Sequence, residues 1–121
     1  MNAQILVAED NEDNMMVATM ILERMGFTVL QAINGLEAYD TAVEKQPDLI
    51  LMDHHMPEMT GIEATQALRV SSETKSIPII ALTADIDSKD DLLEAGCNAF
   101  LAKPLRSSKL LRIVHQVLSV G

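Results

Sequence analysis

The sequence predicts an α/β fold: five strands alternate with five helices, and a parallel sheet is covered on both faces. Three observations carry this reading. Short apolar runs alternate with longer stretches of 3.6-residue hydrophobic periodicity. The run Leu49-Ile50-Leu51-Met52 has no polar interruption, as expected of a strand buried on both faces. Helix stop and start signals, Gly26, Asn34, Thr60 and Gly96, fall between the two kinds of segment.

In chain order, Gln4 to Ala8 is the first strand, closed by Glu9-Asp10-Asn11. The pattern from Glu12 to Met25 is helical: Val17, Ala18, Ile21, Leu22 and Met25 share one arc, and Gly26 ends it. Phe27 to Ala32 forms a second strand, whose Thr28 and Gln31 suit a sheet edge. Asn34 opens a second helix, with Glu37 three residues on, running to about Glu44. The third strand, Leu49 to Asp53, stops abruptly in a carboxylate. Pro57 breaks regular structure there, and Thr60 with Glu63 has capping-box spacing for a helix over Gly61 to Val70.

A polar loop from Ser71 to Ser76 leads into the fourth strand, Ile79 to Leu82, which ends at Thr83. Asp87 or Ser88 caps a short acidic helix that Gly96 terminates. Asn98 to Ala102 is the fifth strand, ending at Lys103-Pro104. The last helix, Ser107 to Leu118, carries Leu110, Leu111, Val114, Val117 and Leu118 on one face. No repeat or linker interrupts the series, so residues 1–121 read as a single domain.

Composition narrows the function. A net charge of −9 argues against nucleic acid, whose binding needs basic patches. With 48% hydrophobic but only 2% aromatic residues, the core must be aliphatic and methionine-rich; there are 8 methionines. Cys97 is the only cysteine, which excludes an internal disulfide and fits a reduced, cytoplasmic setting, Cys97 itself reading as a small buried hydrophobe. No apolar run approaches the roughly 20 residues of a membrane-spanning helix, so no membrane association is expected.

Right-handed crossovers make all five strands point the same way, so their carboxyl ends meet on one rim. Glu9-Asp10, Asp53, Thr83 and Lys103 all stand at such ends. Ligands in open parallel sheets bind at that edge. Crowded carboxylates repel, and Glu9, Asp10 and Asp53 could offset this by holding Mg²⁺, directly or through water. Asp53 is then a nucleophile for a phosphoryl group, with Thr83 a hydroxyl donor and Lys103 a mobile charge for the transferred oxygens.

Taken in order and spacing, the motifs ILVAEDNEDN, LILMDHHMPEMTG, PIIALTA and AGCNAFLAKPL resemble the receiver domains of two-component response regulators, and the resemblance runs from end to end. It implies a doubly wound sheet of strand order 2-1-3-4-5, phosphorylation at Asp53, and Mg²⁺ on Glu9, Asp10, Asp53 and the backbone carbonyl of His55. It also implies that Thr83 and Lys103 contact the phosphoryl group and that Phe100 is the switch aromatic. The output is a population shift at the surface of the fourth helix, fifth strand and fifth helix. The partner is a histidine kinase or histidine phosphotransfer domain; the downstream target is open. Catalysis extends at most to self-phosphorylation and self-dephosphorylation. In this family Lys103-Pro104 is often cis.

Several residues depart from the pattern or add to it. Thr60 replaces a common aspartate and can still cap a helix. His54 and His55 are unusual after the acceptor. On an extended segment they point opposite ways, which favours two partly exposed loop residues over a transition-metal pair. The His55 side chain and Asp85 are placed to screen or admit hydrolytic water and so to tune dephosphorylation. Met16 and Met20 fall off the apolar arc of the first helix; with Asn14 and Met15 near the rim they form a candidate docking surface for the phosphodonor.

Rival readings fit less well. An aspartyl-phosphate phosphohydrolase of the dehalogenase type has a second aspartate where His55 stands. A flavodoxin-like carrier needs a hydroxyl-rich phosphate loop where Glu9-Asp10 would repel phosphate. A receiver-like interaction module that is never phosphorylated has no need of the complete set of rim residues.

Overall fold

The computed structural model describes residues 3–120. The strands are β1 (Gln4–Ala8), β2 (Thr28–Ala32), β3 (Leu49–Asp53), β4 (Ile79–Thr83) and β5 (Ala99–Ala102). The helices are α1 (Glu12–Arg24), α2 (Gly35–Lys45), α3 (Gly61–Val70), α4 (Lys89–Ala95) and α5 (Ser107–Val120), with a short 3-10 turn, Ile86–Ser88, leading into α4. All strand pairs are parallel, in the order β2-β1-β3-β4-β5. The predicted doubly wound architecture and strand order are both present. None of the described helices is long and apolar enough to cross a membrane.

Strand alternation divides the core in two. Leu6, Ala8, Ile50 and Met52 face α2, α3 and α4, whose Ala38, Ala42, Ala64, Leu68 and Leu92 complete one layer. Ile5, Val7, Leu49 and Leu51 face α1 and α5, meeting Met15, Ala18, Leu22, Leu110 and Val114. Every residue of β3 and β4 is buried, as uninterrupted apolar runs in the middle of a parallel sheet require. Each fully buried leucine or isoleucine contributes about 2 kcal/mol. Edge strand β2 is the more exposed, as its polar residues predict.

The caps show why the helices start where they do. Asn34 accepts the Glu37 N–H at 2.7 Å, and Thr60 and Glu63 form a reciprocal capping box. Asn11 caps α1 through the Asn14 N–H at 2.9 Å. At the opposite edge of the sheet from the carboxyl ends, Arg69 is a hub: its guanidinium donates to the carbonyls of Gly96, Ile77 and Lys75 and to Asn98 Oδ1. It thereby ties the end of α3 to the entries of β4 and β5.

Three expectations need correction. Val17 and Met25 are 45% and 49% exposed; the buried face of α1 is Met15, Ala18 and Leu22. The buried stripe is narrower than the predicted arc, because only one side of a surface helix can touch the sheet. Met15 accordingly belongs to the core (7% exposed) and presents little of itself for docking. Asp87 does not cap the fourth helix; Ser88 stands at its N-cap position but makes no side-chain cap bond, and Asp85 caps the 3-10 turn through the Asp87 N–H.

Candidate functional site

Backbone pairing brings the strand tips together. The His54 N–H donates to Leu82 O at 3.0 Å and the Lys103 N–H to Thr83 O at 2.9 Å, so β3, β4 and β5 end level with one another. The Gly61 N–H donates to His54 O at 2.9 Å, closing the loop after Asp53. A Cβ on Gly61 would sit 2.6 Å from the Asp53 carbonyl oxygen, so a glycine is needed for α3 to begin this close to the acceptor strand. The sequence motif included Gly61; its steric role emerges only from the packing.

Of the residues singled out on the rim, the structure gathers Glu9, Asp10, Asp53, Thr83 and Lys103 at one end of the sheet. Carboxylate oxygens of Glu9, Asp10 and Asp53 lie within 4.8 Å of one another. Glu9 and Asp53 are each 2% exposed, whereas Asp10 is open to solvent. Lys103 Nζ stands 2.9 Å from Asp53 Oδ1 and 3.3 Å from Glu9 Oε1. The other Glu9 oxygen accepts the Asn11 N–H at 3.1 Å. Thr83 is buried, and its Oγ1 accepts the Asp85 N–H at 3.0 Å. Phe100 is half-buried against the core layer that includes Met52 and Ala81.

The electrostatics follow from burial. Desolvation raises the Asp53 pKa: Lys103 opposes the rise and Asp10 adds to it. Burial likewise raises Glu9, with the Asn11 N–H and Lys103 opposing and Asp53 adding. For Lys103 burial acts downward, but Asp53 and Glu9 outweigh it and the ammonium titrates above its ordinary value. One cation does not fully compensate the cluster.

That deficit bears on metal binding. Glu9 Oε1 and Asp53 Oδ1 are shut off from solvent and accept no hydrogen bond from the described residues beyond the ion pair with Lys103. Two shielded carboxylate oxygens beside a third, solvated carboxylate form a hard oxygen donor set that fits Mg²⁺ with retained waters.

His54 and His55 differ from expectation. His54 is buried (9% exposed) while His55 is exposed, and their rings lie 4.4 Å apart at 44° rather than on opposite sides. The chain turns after Asp53, so strand alternation no longer separates them. Burial and then His55 lower the His54 pKa, against smaller pulls from Asp53, Asp85 and Asp91. His55 is close enough to Asp53 to lower the latter's pKa slightly. Asp85 is exposed, with its carboxylate bonded to the Asp87 N–H at 3.1 Å and the Ser88 hydroxyl at 2.9 Å.

Two surface grooves flank α1. One, about 430 Å³, runs between α1 and the turn after β5 and includes Asn14, Val17, Lys103 and Pro104. The other, about 530 Å³, lies toward β2 and includes Asp13, Met16, Met20 and Ile33. Met16 and Met20 are 58% and 48% exposed, as their place off the apolar arc predicts. Ile33, equally exposed beside them, was missed because it lies outside any helical pattern.

Comparison with known proteins gives a consistent picture. The sequence model of the response regulator receiver domain matches residues 5–115. The chain is 37% identical over 120 residues to the polar-differentiation response regulator DivK of Brucella anthropi, covering 98% of each. It superposes on the receiver domain of a Pseudomonas aeruginosa sensor histidine kinase with a TM-score of 0.93 and 34% identity, covering 98% and 99% of the two chains. That domain has a magnesium ion coordinated in its active-site cleft. Chemotaxis protein CheY4 of Vibrio cholerae matches with a TM-score of 0.91 and 31% identity, over 98% and 100%.

Proposed function

The chain belongs to the response regulator receiver domain family, and from that premise we propose that it accepts a phosphoryl group on Asp53 from a phosphohistidine of a histidine kinase or histidine phosphotransfer domain. The observation that carries this is the pairing of a solvent-shielded Asp53 with Lys103 at 2.9 Å, inside a cluster of three carboxylates. A shielded carboxylate held beside one cation supports this reading, because a phosphoryl acceptor needs both an oxygen nucleophile and positive charge for the transferred oxygens.

Glu9, Asp10 and Asp53, with the backbone carbonyl of His55, are the proposed Mg²⁺ ligands. These residues would hold Mg²⁺, whose charge would offset the carboxylates and make the acceptor approachable by an anionic phosphoryl group. An Asp53 carboxylate oxygen attacks phosphorus, the P–N bond to the donor imidazole breaks, and the imidazole leaves with a proton from solvent. Lys103 follows the charge as it moves onto the phosphoryl oxygens, and the Thr83 hydroxyl donates a hydrogen bond to one of them. Phe100 then packs inward, and the surface of α4, β5 and α5 shifts its population. His55 and Asp85 are proposed to set the lifetime of the phosphorylated form by controlling the approach of water.

Docking is proposed along α1. Met16 and Met20 form an exposed apolar pair, and Asn14 sits nearer the rim; these suit a helical bundle that carries the phosphohistidine.

The test is incubation with acetyl phosphate and Mg²⁺, followed by intact-mass measurement. Wild type gains one phosphoryl group and Asp53→Asn gains none. Labelling of Asp53→Asn at the wild-type level would refute the assignment.

A further inference from the structure

The Thr83 hydroxyl is held by a turn that is itself tied down. Its Oγ1 accepts the Asp85 N–H at 3.0 Å. Asp85 is fixed by three bonds of its own: Oδ1 accepts the Asp87 N–H at 3.1 Å, Oδ2 accepts the Ser88 hydroxyl at 2.9 Å, and its carbonyl accepts the Ser88 N–H at 3.1 Å. Ser88 is buried, stands at the start of α4, and makes no side-chain bond to the α4 backbone. Its hydroxyl is engaged by Asp85 instead.

Resting on the phosphoacceptor reading above, we infer that Ser88 is a positioning residue for Thr83. The Ser88–Asp85 bond fixes the turn whose N–H holds the Thr83 oxygen, and so opposes the swing of Thr83 toward a phosphoryl group on Asp53. A hydroxyl that accepts from the Asp85 N–H is drawn toward the α4 side of the rim. To approach the acceptor it must leave that N–H or carry the turn with it. Because Ser88 joins the turn to the first residue of α4, the second course moves the start of α4 as well. The tie therefore disfavours the phosphorylated arrangement and links it to α4 by one side-chain hydrogen bond. Ser88→Ala removes that bond and leaves Thr83, Asp53 and Lys103 in place.

The probe is beryllium fluoride with Mg²⁺, a stable stand-in for the aspartyl phosphate, titrated into the full chain and followed by amide NMR shifts. Ser88→Ala is expected to bind it about fivefold more tightly, the factor that one ordinary hydrogen bond allows. In the free protein its amides from Asp87 to Leu92 should exchange faster while those of β4 stay unchanged. Ser88→Thr, which keeps the hydroxyl, should stay close to wild type in both respects. Asp85→Ala removes the same tie from an exposed position, and should also bind more tightly even if Ser88→Ala folds poorly. Faster exchange in α4 with unchanged or weaker binding would make Ser88 merely structural and overturn the inference, as would Ser88→Thr behaving like Ser88→Ala. Wild-type protein that fails to bind beryllium fluoride would instead overturn the phosphoacceptor reading, and this inference with it.

Discussion

Lys103 Nζ and Asp53 Oδ1 are 2.9 Å apart although their strands, β5 and β3, are not neighbours: β4 lies between them. The lysine side chain spans the tip of β4 to reach the acceptor, and it meets Glu9 at 3.3 Å as well. One flexible cation thus serves two buried carboxylates from separate strands.

Removing that cation should be costly wherever the carboxylates are charged. Lys103→Met is expected to lower the unfolding free energy by about 2 kcal/mol in Mg²⁺-free buffer at neutral pH, somewhat below the cost of breaking a fully buried pair because the lysine is 23% exposed. The loss should shrink as pH falls through the raised pKa values of Asp53 and Glu9, since protonated partners no longer need the ammonium. Urea unfolding at several pH values measures this. A loss that does not vary with pH would show that Lys103 acts through packing alone.

The same shifts predict how Mg²⁺ acts on stability. Folding raises the pKa of both Asp53 and Glu9 above their ordinary 3.8 and 4.5. The folded state therefore binds more protons, and stability falls as pH rises from those values through the folded ones, remaining lower above them. Lys103 follows the same sign at higher pH: the stability it adds is present below its ordinary 10.5 and is lost as pH climbs through its raised value. Mg²⁺ should recover the carboxylate cost near neutral pH, by about 1.4 kcal/mol at tenfold its Kd, and should do little in acid once the carboxylates are protonated. Thermal melts with and without Mg²⁺ at both pH values test this, and equal shifts in acid and at neutral pH would refute it.

Arg69 should matter for stability and little for chemistry. Its guanidinium satisfies Gly96, Ile77 and Lys75 carbonyls and Asn98 Oδ1 at the edge of the sheet opposite the site. Arg69→Ala takes this donor from the three carbonyls, while Asn98 Oδ1 keeps the Ile79 N–H, and is expected to cost about 2–4 kcal/mol. Arg69→Lys should recover only part, because an ammonium cannot reproduce the planar fork. Urea melts give the cost, and acetyl phosphate labelling of the folded fraction should match wild type.

The α1 surface yields a test that separates donors. Met16→Lys combined with Met20→Lys should slow phosphotransfer from a histidine kinase about tenfold, equivalent to about 1.4 kcal/mol, and leave labelling by acetyl phosphate unchanged. Slowing of both donors alike would rule out a docking role.

His55 is exposed and close enough to Asp53 to influence its charge. His55→Ala is expected to change the dephosphorylation rate more than the phosphorylation rate, as followed by loss of the labelled mass after donor removal. Equal changes in both rates would remove the idea that this side chain governs water.

The architecture was legible from sequence because a parallel sheet imposes a simple pattern. Uninterrupted apolar runs mark β3 and β4, and Asn34 and Thr60 mark helix starts by local hydrogen bonds that need no tertiary partner. The rim residues were legible for a related reason: parallel strands place all their carboxyl ends together, so Glu9, Asp53, Thr83 and Lys103 meet wherever the order of elements holds. Tertiary structure alone decided what depends on distance and on neighbours. It made Lys103 the shared partner of two carboxylates and put His54 under cover beside His55. It confined the buried stripe of α1 to Met15, Ala18 and Leu22, leaving Val17 in the open. It also tied the Thr83 hydroxyl to α4 through Asp85 and Ser88. Periodicity records which side of an element is apolar, but a side chain's burial and partners are set by whatever another part of the chain brings against it.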